Sequence, residues 1–289
     1  MIEDLNRAAL TRGLKIHSGK TKVLTNEAEL RCRRLPDHLN IADVKYEVLG
    51  ADASSKYLGR KVAYTDPHGT EFNNRVAAAW GTFSKHKKEL IDKNYPLKIR
   101  LKLFDAVVTS SLLYGSETWA LKAEQERRLK TTQRKMMRMI LNAKRRTLAL
   151  ESCSEHSKED GRSSYEEQEV LEPWPEFLKR TAEAADRQAK NAGILEWSVA
   201  CRRRKWKWAQ GLLTTGNSKW SSVATSWKPT LHSSVPANRS RSRPKKRWTD
   251  DIELFIKKKF PEERRPWQEL AKDLQWWRKS SEMYENFGQ

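Results

Sequence analysis

The chain is poor in the residues that usually staple or punctuate a small fold: its 289 residues include 3 cysteines, 12 glycines and 10 prolines. Cys32, Cys153 and Cys201 are odd in number and far apart, which excludes a closed disulfide framework and points to a reducing compartment. None lies in a C-x₂-C or H-x₃-H spacing, so a structural zinc is not expected. No stretch approaches the ~18 apolar residues of a membrane helix. The start, Met1-Ile2-Glu3-Asp4-Leu5, lacks a basic region followed by an apolar run, so no secretory leader is expected and the chain reads as intracellular, nuclear or cytoplasmic. Six scattered histidines without a nearby Ser or Cys nucleophile pattern exclude a hydrolase triad. Gly19-Lys20-Thr21 resembles the end of a phosphate loop, but the position of that loop's first glycine is Leu14, which excludes a nucleotide-triphosphate cradle.

What is present is positive charge. There are 57 Lys+Arg against 37 Asp+Glu, a formal charge of +20 and a pI near 9.9. The apolar fraction, 37%, nearly equals the charged fraction, 33%, so the core is modest. The surplus is uneven: 201–259 carries 16 Lys+Arg and 3 acids, whereas 151–170 carries 2 and 7. Such a surplus favours a polyanionic partner, because each cation set against a phosphate releases a condensed counterion. Nine of the 12 tryptophans lie from Trp197 onward, most beside Lys or Arg. Either they stack on unpaired bases, or they form a small core with a basic rim. No long basic amphipathic helix is evident, so a membrane surface ranks below nucleic acid.

Periodicity predicts a short helix over 2–10, stopped by Gly13, then β-like pieces at 22–24, 46–49 and 57–64, the last two read as a hairpin around 50–56. Three helical stretches follow, over 72–90, 97–112 and 129–141, the second introduced by Pro96. Along the third, Arg127, Lys130, Arg134 and Arg138 recur at steps of three and four, which makes a cationic stripe. The stripe is either a solvated face or a track for phosphates. Residues 147–161 look like a polar, acidic linker. Helices are expected over 171–193, 197–213, 248–258 and 267–284, with an extended or disordered Ser/Thr/Pro-rich segment over 216–244. The expected class is mainly α with a small antiparallel β element near the N-terminus, an α+β fold: a thumb-like helical bundle and a basic, partly disordered C-terminal region.

Several blocks, in this order, resemble one family. GLKIHSGKTKVL (13–24), YLGRKV (57–62), RVAAAWGTF (75–83), KLFDAVVTSSLLYGSETWAL (102–121) and RLKTTQRKMMRMILNAKRR (128–146) are similar to the downstream part of non-LTR (LINE-type) retrotransposon reverse transcriptases. RRRKWKWAQGLL and RSRPKKRWTDDIELF resemble the C-terminal tail of the same polyproteins, although Ala209-Gln210-Gly211 stands where the family tends to have a Gly-His pair.

The resemblance implies a palm remnant over 1–66, a helical thumb over 67–146, an acidic linker over 147–170 and a basic, Trp-rich region over 171–289. It makes Lys20 a remnant of palm motif D, placed beside an incoming nucleotide, and Tyr57-Leu58-Gly59 motif E, which grips a primer end. Nucleic-acid contacts are then expected from Tyr57, Gly59, Arg127, Lys130, Arg134, Arg138, Arg145, Arg146, Arg203, Lys205, Arg243, Lys245, Lys246 and Arg247. The expected partner is an RNA–DNA hybrid or RNA, with the missing upstream polymerase half as a second partner and no membrane.

In this family the carboxylates that hold two Mg²⁺ ions for RNA-directed DNA synthesis lie upstream of motif D. The chain is therefore expected to carry no cofactor and to be inactive alone. Asp250-Asp251 follows an aromatic residue, as the catalytic pair does. A helix cap by Thr249 or Asp250 explains it better, because consecutive helical residues diverge by about 100° and cannot present both carboxylates to one ion. The alternative is a basic nucleic-acid- or protein-binding module whose present role owes nothing to polymerase ancestry.

Overall fold

The structure, a computed structural model, describes residues 2–24, 37–41, 44–50, 53–63, 65–150, 168–214, 221, 223, 225 and 246–287. Cys32, Cys153, Arg243 and Lys245 lie outside these residues, as do most of the acidic segment and of the Ser/Thr/Pro-rich segment. The chain divides into two compact units, Met1–Ala78 and Ala79–Gln289. It is mostly helical with small sheets, the α+β class expected from its patterning.

The first unit opens with α1 (Ile2–Leu10). Gly13, at φ +69°, ends it by letting the Leu14 N–H close on the Ala9 carbonyl at 2.9 Å. Strands β1 (Lys22–Leu24), β2 (His38–Ile41) and β3 (Val44–Leu49) form a sheet in the order β1-β3-β2. The β2–β3 pair is antiparallel, but β1 runs parallel to β3, so this sheet is mixed rather than purely antiparallel. A second correction concerns the hairpin. Tyr46–Leu49 does not pair with Tyr57–Tyr64; β4 (Ser54–Tyr57) folds directly onto β5 (Arg60–Ala63) through Leu58-Gly59. Alternation marks a strand without naming its partner, and the two-residue turn was hidden inside what reads as one continuous strand.

Helix α2 (Pro67–Lys85) starts earlier than apolar spacing predicts. Proline takes the first helical position, and the Asp66 carboxylate accepts from the Gly69 N–H at 3.0 Å.

In the second unit α3 (Lys87–Ile91), α4 (Leu97–Phe104), a π-turn over Asp105–Thr109, α5 (Ser110–Leu113) and α6 (Ala123–Ile140) pack with α7 (Trp174–Asn191) and α8 (Trp197–Thr214). Buried Arg100 donates to the carbonyls of Leu90 (3.2 Å) and Ile140 (2.8 Å), which answers the orphan C-terminal groups of α3 and α6. Gln133 of α6 holds the start of α8, donating to the Leu195 carbonyl and accepting from the Trp197 N–H, both at 2.9 Å. The two ends of the acidic segment pair as antiparallel strands, β6 (Thr147–Leu150) and β7 (Gln168–Leu171).

The chain closes with α9 (Asp250–Lys259), α10 (Trp267–Leu270) and α11 (Leu274–Glu285). They gather Ile252, Phe255, Trp267, Leu270, Trp277 and Tyr284 around Trp206 of α8. Trp206 and Trp277 stack at 3.7 Å between centroids, and each indole N–H donates to the other's carbonyl at 3.0 and 3.1 Å. Of the two readings of the C-terminal tryptophans, core formation holds for Trp197, Trp206, Trp267 and Trp277.

Candidate nucleic-acid interface

In the first unit, the β4–β5 turn presents Tyr57 and Leu58 to solvent, 68% and 76% exposed. Leu58 (φ +46°) and Gly59 (φ +80°) both occupy left-handed backbone, the requirement of a tight two-residue hairpin turn. Buried Glu71 of α2 fixes this turn, accepting from the Lys61 N–H at 2.6 Å and from Arg75 Nε at 2.7 Å. Arg75 in turn donates to the Gly59 carbonyl. An exposed apolar tip is thus tied to a helix by a buried ion pair. Sequence reasoning missed Glu71 and Arg75, although their i, i+4 spacing on a helix was a usable signal. Lys20 is exposed at the end of a 3-10 turn just before β1.

The cationic stripe of α6 divides. Arg127 is exposed. Lys130 pairs with Glu196 at 2.9 Å, and Arg134 binds both oxygens of Asp186 on α7. Hydrogen bonding to Asp186 raises the Arg134 pKa, whereas burial, then repulsion from Arg134, lowers that of Arg138. Half of the stripe is therefore spent on tertiary contacts, with Arg127 and Arg138 outside those ion pairs. Arg145 donates to the Glu172 carbonyl at 2.7 Å, and Arg180 binds the Glu172 carboxylate. Bonds from Arg180 and from the Arg146 N–H hold the Glu172 carboxyl down at about 2.

The run Arg202–Lys207 is folded inward more than its charge suggests. Arg202 donates to Glu126 (2.8 Å), Arg203 to Glu285 (2.8 Å) and Arg204 to the Leu113 carbonyl (2.9 Å). Lys205 is 3% exposed, 2.6 Å from Asp251 and over the Trp248 ring. Burial lowers its pKa against the pull of Asp251. This is a correction: Lys205 has no surface from which to meet a phosphate, because it is buried in the tail core against Asp251. Lys246 donates to the Leu121 carbonyl at 2.5 Å, and the Arg247 N–H to Asp250 at 2.7 Å. Of the run, Arg204 and Lys207 are exposed with no ion pair among the described residues, Arg204 being tied to a backbone carbonyl.

Asp250-Asp251 is structural. Thr249 caps α9 without a side-chain bond, contrary to one half of the expectation; Asp250 reaches back to Arg247 instead. Asp251 joins Lys205 to the Tyr284 hydroxyl, 3.1 Å away. The residues present do not fit the Mg²⁺ ions of a polymerase: the two Asp side chains have separate protein partners, and among the described residues no group of three or more His, Cys, Asp or Glu is placed to hold a metal. No described helix is long and apolar enough to cross a membrane.

No protein-family profile matches the chain, and no solved structure does. The chain is similar to a Caenorhabditis elegans protein described as an uncharacterized transposon-derived protein, 26% identical over 288 residues that span 96% of this chain and 86% of that protein.

Proposed function

We propose that the chain is transposon-derived and corresponds to the motif D, motif E, thumb and tail region of a LINE-type reverse transcriptase. In this reading it binds RNA–DNA template–primer duplex by charge and shape, without reading sequence. Similarity to the nematode transposon-derived protein supports the transposon-related origin. The observation that carries the finer reading is the Tyr57–Arg60 turn: the motif E-like residues form a tight hairpin with an exposed tip, braced by Glu71 and Arg75.

The net charge of +20 supports a polyanionic partner. The cations best placed to serve it are a subset of those the sequence put forward. Arg127, Arg138 and Arg146 are the stronger candidates of the thumb region; Lys130, Arg134 and Lys205 are held by acids. No catalytic step is assigned to the chain. Titrating a fluorescent RNA–DNA hybrid with purified protein tests the proposal. Two hybrids of unrelated sequence should bind equally, and Arg127→Ala/Arg138→Ala/Arg146→Ala should bind both more weakly. Absence of binding, or strong preference for one sequence, would refute it.

A further inference from the structure

Trp206-Lys207-Trp208 places two tryptophans about 200° apart around α8. Trp206 is the centre of the tail core, so Trp208 must point away from it, and it is 43% exposed. It does not face open solvent alone. Trp208, Lys207, Leu212 and Arg204 of α8 line a cleft of about 440 Å³ whose wall outside that helix includes Glu117. That wall is set by Gly115: its φ of +71° ends α5 and starts the 3-10 turn Ser116–Thr118 that packs on α8. Arg204 is fixed in place by its bond to the Leu113 carbonyl.

A half-exposed indole, two cations and a carboxylate lining one cleft match the parts of one nucleotide. An aromatic face stacks on a base, cations neutralise the flanking phosphates, and a carboxylate accepts from an exocyclic amino group. We infer that this cleft binds an unpaired nucleotide of single-stranded RNA or DNA, with Trp208 as the stacking platform, Lys207 and Arg204 facing its phosphates and Glu117 favouring bases that carry an amino group. The inference rests on the nucleic-acid reading above but concerns a separate surface and a separate, single-stranded substrate.

The test uses the full chain, a labelled oligo(C) RNA and the RNA–DNA hybrid. Trp208→Ala should raise the Kd for oligo(C) by between about 5- and 150-fold, the range for removing one base–aromatic stack. It should leave the Kd for hybrid within about twofold. Trp208→Phe should retain most of the affinity, and Trp208→Leu, which keeps an apolar side chain on the helix, should lose it as alanine does. Glu117→Gln should narrow the preference for oligo(C) over oligo(U). Unchanged oligo(C) binding by the Trp208→Ala and Trp208→Leu variants, with hybrid still bound, would overturn the inference and leave the broader reading standing. If the wild type bound neither ligand, both would fall.

Discussion

Lys205, Asp251 and Tyr284 show at single-residue scale how a basic sequence can become interior. Asp251, 2.6 Å from the buried Lys205 amine, is the acid set against it, and Asp251 also accepts from Tyr284. Asp251→Ala leaves the buried Lys205 amine without its acid and should cost about 3–5 kcal/mol in urea unfolding, whereas Lys205→Met with Asp251→Leu should cost only about 1–3 kcal/mol, for the Tyr284 hydroxyl left without its acceptor. Equal destabilisation by the single and double changes would contradict that pairing. Glu172 makes a pH-dependent contribution. Its carboxyl is depressed from 4.5 to about 2 by Arg180 and the Arg146 N–H. The unfolded chain therefore binds the proton first, and the associated stability, present above about 4.5, is lost as pH falls toward 2. Glu172→Gln should flatten that part of a stability-against-pH curve, and an identical slope would refute the assignment. None of these partners was legible in the sequence. Arg180 and Glu172 are eight positions apart, and Lys205 and Asp251 forty-six; composition gives the charge and not its counterpart.

At the scale of elements, helices were readable and pairings were not. The apolar spacing of Leu129, Met136, Met137 and Ile140 gives α6 because those residues are its buried face. The same helix shows the limit: Lys130 and Arg134 share a stripe with Arg127, yet their acids come from Glu196 and α7. Arg134→Ala should lower stability by about 0.5–1 kcal/mol, as for a partly exposed ion pair, and Arg127→Ala should change it by less than about 0.5 kcal/mol. Matching thermal shifts for the two would show that the stripe is not divided. The β4–β5 turn is the other informative element. A leucine at φ +46° is strained where asparagine is tolerated, so Leu58→Asn should stabilise the first unit by about 0.5–1 kcal/mol. If the exposed apolar tip grips nucleic acid, the same change should weaken hybrid binding. Destabilisation on denaturant unfolding would contradict the strained turn.

Across the whole molecule, folding sets some cations against acids and leaves the surplus of twenty positive charges as it was. Arg202, Arg203, Lys205, Lys130 and Arg134 are engaged with acids, so the 57 Lys+Arg overstate the cations a ligand meets, while the net charge of +20 is unchanged by the pairing. The expected basic tail is partly a basic core, with its indoles stacked on one another and its lysine and arginines turned toward carboxylates and carbonyls. The α+β class and the basic character were legible in the sequence because each is a sum over many residues. The division of cations between core and surface was not, because it depends on packing between distant segments. The most direct measurement is the salt dependence of RNA–DNA hybrid binding. If the remaining surface cations grip phosphates, log K should fall linearly with log[salt], and Arg127→Ala/Arg138→Ala/Arg146→Ala should flatten that line by ~0.7–0.9 for each phosphate that is no longer neutralised. A wild-type line with no slope, or a triple variant whose slope equals that of the wild type, would contradict it.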